Sequence, residues 1–411
     1  MDANRLTQKS QEALSEAQTK AVRFGHVEID VEHLLAALLE QEEGLIPRLF
    51  VRMDVPLEPF KAEVEKELSK RARVSGPGAE AGKVYITQRL NKLLVKAEDE
   101  AKLAAHTFRK AAETVEDADF MVVNGDLVDT GMNEAQWDWL LGAAQDTLLD
   151  TTLVPAAGNH DEDKNSFIEH FNLIPAPFSA TETGAYYSFD YSNAHFIVLN
   201  TNEDSKEYAD FTPAQIQWLK GDAAAAKAGG AKWLIAVIHK GPYTTSNHAE
   251  DGDIQDANGV RTLVAPLMNQ LGVDLVLEGH DHIYARTKPI RDGQATEAEK
   301  ASETLNGMPV DYAVRPDGTI YLIPATAGPK VYYKSAKMPA EYYALFEVAD
   351  ENHAAVYGPD PDDPSRPVRS AVQNFVGVTV EGDRLTAVAY EIDQNKDPET
   401  PYIVDQFGIV K

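Results

Sequence analysis

Four short stretches of this 411-residue chain carry side chains that can bind a cation or move a proton: Gly125-Asp126-Leu-Val-Asp129, Gly158-Asn159-His160-Asp161, Ile238-His239-Lys-Gly-Pro242 and Gly279-His280-Asp-His282. In an extended segment residues i and i+2 point the same way, so His280 and His282 can address neighbouring metal ions about 3.5–4 Å apart. A carboxylate such as Asp126 has two oxygens and can bridge two ions, and Asn159 offers a neutral amide oxygen. The glycine before His280 lets the backbone turn into such a site.

Each stretch follows an apolar run that reads as a buried strand: Phe120–Val123, Thr152–Val154, Trp233–Ile238 and Val273–Leu277, with His195–Leu199 as a fifth. Helical patterns over 133–148 and 213–227 lie between them. Strands with crossover helices predict a layered α/β domain, whose functional edge is the carboxyl end of the strands. The tail over 376–390 reads as a hairpin turning at Gly382-Asp383. Residues 291–310 show no clear period and read as a loop, as do the proline-rich residues 358–368.

Composition narrows the chemistry. With no cysteine, a metal here must be held by His, Asp, Glu, Asn or backbone oxygen. Lys and Arg number 38 against 66 Asp and Glu, a formal net charge of −28. That surface repels nucleic acid and anionic membrane, so neither is expected as a partner, and an anionic substrate requires bound cations. No run of 18 apolar residues and no secretory apolar core is present, so the chain reads as cytoplasmic.

The first 75 residues read as helices. Thr7 can cap a run with Ala13, Leu14, Ala17 and Ala21 at helical spacing, and Asp30 can cap Val31–Glu40. A Lys- and Glu-rich stretch over 57–73 ends at a linker, Ser75-Gly-Pro-Gly78. The opening helix then recurs: Thr7-Gln8 and Thr87-Gln88, Leu14 and Leu94, Ala17 and Ala97, Ala21 and Ala101, and His26 and His106 coincide at an offset of 80 (87 − 7). The second copy breaks off after His106, and a junction is expected near 106–110, dividing the chain into residues 1–107 and 108–411. Gly76–Val84 is superficially P-loop-like but has the wrong glycine spacing and Val84 where Ser or Thr is needed.

The two-copy pattern with its HLLAALL helix resembles the N-terminal domain of ClpB-type disaggregase chaperones, with a truncated second repeat and no ATPase following. The resemblance implies an all-helical pseudo-repeat that helps engage unfolded polypeptide. GDxxDxG, GNHD and GHxH, in this order and each after a strand, resemble the calcineurin-like metallophosphoesterases, near the purple-acid-phosphatase-like members. That resemblance implies a layered αββα sandwich, placed after the small all-α domain. It also implies two bound ions (Fe, Mn or Zn) and attack on a phosphomonoester or diester by metal-bound hydroxide. By motif, Asp126 would bridge the ions, Asn159, His239 and His280 would hold one, and His282 the other. His160 would stand beside the phosphate, with Asp161 orienting it.

For Asp129, support of a ligand and capping of the following turn are both open. His248 reads as a solvated loop histidine rather than a substrate contact, and His170 and His195 as structural. The family's first strand, ending in an Asp motif, should fall near residues 85–97, and none is found there. Asp119 starts the strand that Asp126 follows, roughly 20 Å away along the extended chain, and Asp117 is no nearer. One ion site is therefore expected to be incomplete, so that a single ion binds and activity is reduced or lost. An alternative is a polypeptide-binding module joined to an inactive phosphoesterase-like part.

Overall fold

The computed structural model describes residues 8–41, 46–47, 50, 56–71, 84–161, 166–171, 173, 185–203, 211–257, 259–349 and 372–411, without the side chains of 8–11, 91–101, 135 and 166. Thr7, the 75–78 linker and the 358–368 loop lie outside this set, as do the side chains of Leu94, Ala97 and Ala101. The chain divides into two compact units, Met1–Asp99 and Glu100–Lys411.

In the first unit helix Gln8–Phe24 lays Ala13, Ala17 and Ala21 against Ile29, Leu34, Ala37 and Leu90. Small residues at i, i+4 and i+8 put the helix axes close together, so the stripe read from spacing is the packing face. Helix Val31–Glu40 starts where expected: the Asp30 carboxylate accepts the Val31 N–H, and the His33 ring accepts the Asp30 N–H to close a capping box. A third helix, Leu57–Lys70, buries Val64 and Leu68. The unit is not wholly helical. Strands β1 (Glu28–Ile29) and β2 (Tyr85–Ile86) pair in parallel, too short to show alternation in sequence.

Asp30 joins three elements, accepting also from Arg71 Nη2 and Thr87 Oγ1, each at 2.8 Å. Burial alone would raise its pKa, but Arg71 and the N-cap bond outweigh that and hold it at about 2. Asp30→Ala is expected to destabilise this unit by about 2 kcal/mol, and Asp30→Asn, which keeps the cap, by about half as much. Urea unfolding of the two variants followed by far-UV circular dichroism checks the ranking.

The second unit is built on two facing sheets. One has seven strands in the order β15-β9-β14-β8-β7-β6-β5: β5 (Tyr187–Tyr191), β6 (Ala194–Val198), β7 (Trp233–Ile238), β8 (Leu275–Glu278), β9 (Tyr284–Thr287), β14 (Ile320–Pro324) and β15 (Phe346–Val348). Its centre, β6-β7-β8-β14, is parallel. All six residues of β7 are buried. Leu234, Ala236 and Ile238 face a core shared with helices Pro213–Ala228 and Val260–Leu271, whereas Trp233 and Ile235 face the other sheet. That sheet has the order β12-β13-β18-β17-β16: β12 (Glu299–Leu305), β13 (Met308–Val314), β16 (Val372–Glu381), β17 (Arg384–Asp393) and β18 (Asp397–Val410). The predicted tail hairpin is β16–β17, turning at Gly382-Asp383.

Residues 291–310 are not a loop. They form the edge strand β12, the start of β13 and part of a small β10–β11 pair (Ile290–Arg291 with Gln294–Ala295). Six of the seven β12 residues are exposed, so an edge strand with both faces wet left no apolar alternation to read.

Strands β3 (Phe120–Val123) and β4 (Thr152–Pro155) pair in parallel as a separate two-stranded sheet. Phe120 and Val122 pack with Val154, Tyr187, Val198 and Val237, so the pair lies on the same face of the seven-stranded sheet as Trp233. Its other face is covered by Ala105, Phe108, Leu140 and Ala144 from the helices around it. The helical stretch 133–148 is two helices, Glu134–Ala143 and Gln145–Asp150. Among the described residues no strand ends in a carboxylate near 85–97. Helix Gln88–Thr114 occupies that stretch.

His195, at the start of β6, donates from Nδ1 to Asp190 and from Nε2 to Asp222, both at 2.8 Å. It ties the β5–β6 hairpin to helix Pro213–Ala228. Burial alone would lower its pKa, but Asp222 and Asp190 raise it above the free value of 6.5. Its stabilising contribution is therefore complete below about pH 6.5 and lost as pH rises through the folded value. Melting temperatures of wild type and His195→Gln between pH 6 and 9 are expected to converge at the alkaline end.

Candidate metal centre

The four motif segments meet at the carboxyl ends of β3, β4, β7 and β8, and main-chain bonds lock them to one another. The Gly279 N–H donates to the His239 carbonyl at 2.9 Å, and Asn124 Nδ2 donates to the Glu278 carbonyl at 2.8 Å. Gly131 N–H donates to the His160 carbonyl at 2.9 Å. A Cβ on Gly158 would meet Asp126 N at 2.2 Å and Asp126 Oδ1 at 2.3 Å, so only glycine lets the second segment approach the first so closely.

Asp126, His239 and His280 present ligand atoms all within 4.8 Å of one another. His239 Nε2 lies 3.2 Å from Asp126 Oδ1 and 3.1 Å from Asn159 Oδ1, adding the amide to the group. The other ring nitrogen, Nδ1, donates to the Asn124 carbonyl at 2.7 Å, which fixes the tautomer that leaves Nε2 as a ligand. His280 Nδ1 is buried and has no hydrogen-bond partner. An orphaned imidazole nitrogen beside a carboxylate, an amide oxygen and a second imidazole fits a divalent cation. Asp126 (φ 55°) and His280 (φ 62°) both adopt left-handed backbone, a strained choice for residues with side chains.

The charges suit this use. Burial alone would raise the Asp126 pKa, but His239, His160 and His280 hold the carboxyl well below its usual range. Burial, with His239 beside it, keeps His280 well below an ordinary histidine, as a neutral ligand must be.

His282 is adjacent but stands outside the three-donor group. Its Nδ1 donates to the Lys330 carbonyl at 2.7 Å, and burial followed by the Lys330 charge lowers its pKa to about 4. Among the described residues no carboxylate joins it in a second group of three. Asp119 is engaged at the far end of β3 by the Tyr191 hydroxyl.

His160 is at the rim. Its N–H donates to Asp126 Oδ1 at 3.1 Å and its ring Nδ1 to the Asp129 carbonyl at 2.8 Å. Asp129 thus supports the site through its main chain. Asp161 differs from expectation. It is buried, and its two oxygens accept the Val128 and Gly158 N–H groups, each at 3.0 Å. It pins the first two motif segments together, and the Asp129 carbonyl is what holds the His160 ring. Burial and the neighbouring Asp126 raise the Asp161 pKa to about 7.

His248 is not a solvated loop residue. Its ring lies 4.6 Å from that of His280, and Nδ1 is bonded to Asp251 at 2.6 Å. Tyr332, stacked on His282 at 4.7 Å, completes the wall. A lone histidine in a polar loop and a tyrosine 50 residues after GHDH carry no motif, so only the parallel pairing of β7 and β14 with β8, whose flanking segments they occupy, reveals them. His170 stacks on Trp137 at 4.4 Å and bonds Glu134, a packing role.

Comparison with known proteins follows the same division. Residues 5–112 match the Clp repeat (R) N-terminal domain, and residues 95–284 match the calcineurin-like phosphoesterases. The chain joins a Clp repeat N-terminal domain to a calcineurin-like phosphoesterase domain. The two matches overlap within helix Gln88–Thr114, a helix that both families claim. The Clp repeat domain is 55% identical over 102 residues to the chaperone protein ClpB of Nitratidesulfovibrio vulgaris, covering 25% of this chain and 12% of that one. The phosphoesterase domain is 30% identical over 179 residues to purple acid phosphatase 18 of Arabidopsis thaliana, covering 42% of this chain and 39% of that one. A purple acid phosphatase from yellow lupin seeds shares the fold at a TM-score of 0.54 and 18% identity, over 75% of this chain and 49% of that one. The mixed α/β phosphoesterase fold with a helical domain before it is therefore established. The chain spans less than half of each of these relatives, from 12% to 49% of their length. Among the described residues no helix is long and apolar enough to cross a membrane.

Proposed function

We propose that residues 108–411 hydrolyse phosphomonoesters or diesters with the help of a metal ion held by Asp126, Asn159, His239 and His280. The observation that carries this reading is the convergence of Asp126, His239 and His280 within 4.8 Å, with His280 Nδ1 buried and unpartnered. When bound, a divalent or trivalent ion of the Fe, Mn or Zn kind lowers the pKa of its water and neutralises phosphoryl oxygens.

The protein's own groups do the rest. His239 and His280 are kept in ligand form by the Asn124 carbonyl and by burial. His160, with Nδ1 committed to Asp129, offers Nε2 to the leaving group or to a phosphoryl oxygen. His248, held by Asp251, faces the same space. With one complete donor set and His282 beside it, the rate is lower than that of a site filled by two ions. Treatment with chelator, then Mn, Fe or Zn, followed by assay with p-nitrophenyl phosphate and its diester, tests the reading. Hydrolysis that is absent throughout, or indifferent to metal, refutes it.

A second reading concerns residues 1–107. Val22, Val27, Tyr85 and Ile86 are large apolar side chains left exposed on the first unit, with Tyr85 at 66%. Tyr85 N–H bonds the Val27 carbonyl, so Val27, Tyr85 and Ile86 edge one short strand pair, with Tyr85 and Ile86 on its opposite faces. Such a patch suits unfolded polypeptide. Suppression of aggregation of a denatured client by the intact chain, lost in Tyr85→Ser/Ile86→Ser, is the expected result.

A further inference from the structure

The segment after β14 is fastened to the rim of the metal centre at His282. The His282 ring donates to the Lys330 carbonyl at 2.7 Å, and the Tyr332 N–H donates back to the His282 carbonyl at 2.9 Å. The Tyr332 ring stacks on His282 and stands 5.6 Å from the ring of His248. The Lys330 ammonium lies 4.8 Å from the Tyr332 ring centroid, on an exposed side chain. Among the described residues no carboxylate pairs with it. In a chain of net charge −28, an unneutralised ammonium over the ring that stacks on His282 is a local reversal of sign.

A single metal ion leaves negative charge on the phosphoryl oxygens it does not touch. An ammonium reaching over Tyr332 can take one of them. We infer that Lys330 binds a non-bridging phosphate oxygen at this centre and acts as its second positive charge beside one metal ion. This rests on the phosphoesterase reading above.

The test uses the full chain loaded with Mn, in wild type, Lys330→Met, Lys330→Arg and Lys334→Met. The last removes a nearby lysine whose ammonium rests on Tyr343 instead. Orthophosphate binding is measured by calorimetry, alongside metal content and KM and kcat for p-nitrophenyl phosphate. Lys330→Met is expected to weaken phosphate binding and raise KM by about tenfold or more, with a smaller change in kcat and an unchanged metal content. Arginine should restore most of the affinity, and Lys334→Met should resemble wild type. Equal phosphate affinity in wild type and Lys330→Met overturns the inference, as does an equal loss in Lys334→Met. If phosphate binds through Lys330 but no ester is cleaved, the phosphoesterase reading falls and this one stands. If esters are cleaved and Lys330→Met is silent, the reverse holds. If the wild type binds no phosphate, this inference falls, and the ester assay alone decides the phosphoesterase reading.

Discussion

Asp126→Asn is expected to remove the bound metal and to lower kcat/KM for a phosphate ester by roughly three orders of magnitude or more. The amide keeps the size and the acceptor of the His160 N–H, so the loop should stand. What it loses is the charge that His239, His160 and His280 surround. A neutral oxygen cannot offset the desolvation of a divalent ion among imidazoles. Metal analysis after gel filtration, run with the kinetics, separates this from a general failure to fold. An Asp126→Asn protein that retains both metal and rate would refute the assignment of the centre.

The second large effect is expected at Gly158. Alanine there would drive a methyl group to 2.2 Å from the Asp126 nitrogen and 2.3 Å from its Oδ1, so one of the two motif segments must move. Asp161 pins both segments through the Val128 and Gly158 N–H groups, and that clamp would open. Gly158→Ala should cost about 3 kcal/mol or more of stability and abolish metal binding. Gly142→Ala is the matched control. No atom lies within 4 Å of its added methyl, and it sits inside helix Glu134–Ala143, where alanine is preferred. Its melting temperature should hold or rise slightly. A Gly158→Ala protein as stable as Gly142→Ala would show that the two segments are not in contact.

The motif residues were legible because each follows a short apolar strand packed between other layers, and such strands announce themselves as apolar runs. Trp233–Ile238 and Phe120–Val123 are found with the ends read from sequence. Asp30 was legible as a cap because capping is a local bond. The misreadings have physical causes too. Strand β12 is exposed on both faces, so nothing in its side chains reports pairing. Asp161 follows the reactive-looking His160 but turns to the main chain of Val128 and Gly158, a choice that only close packing of two loops decides. His248 and Lys330 are brought to the rim by sheet order, which no local pattern encodes.

His239 follows directly on β7, whose six residues are all shielded and whose odd and even members fill two different cores. Sliding that strand by one position would exchange Trp233 and Ile235 for Leu234 and Ala236 in both cores at once. The ligand is thus anchored at the least adjustable point of the architecture, while Lys330 and His248 ride on connecting segments. Such an arrangement lets descendants of this chain retune what they bind at the rim without disturbing the grip on the ion.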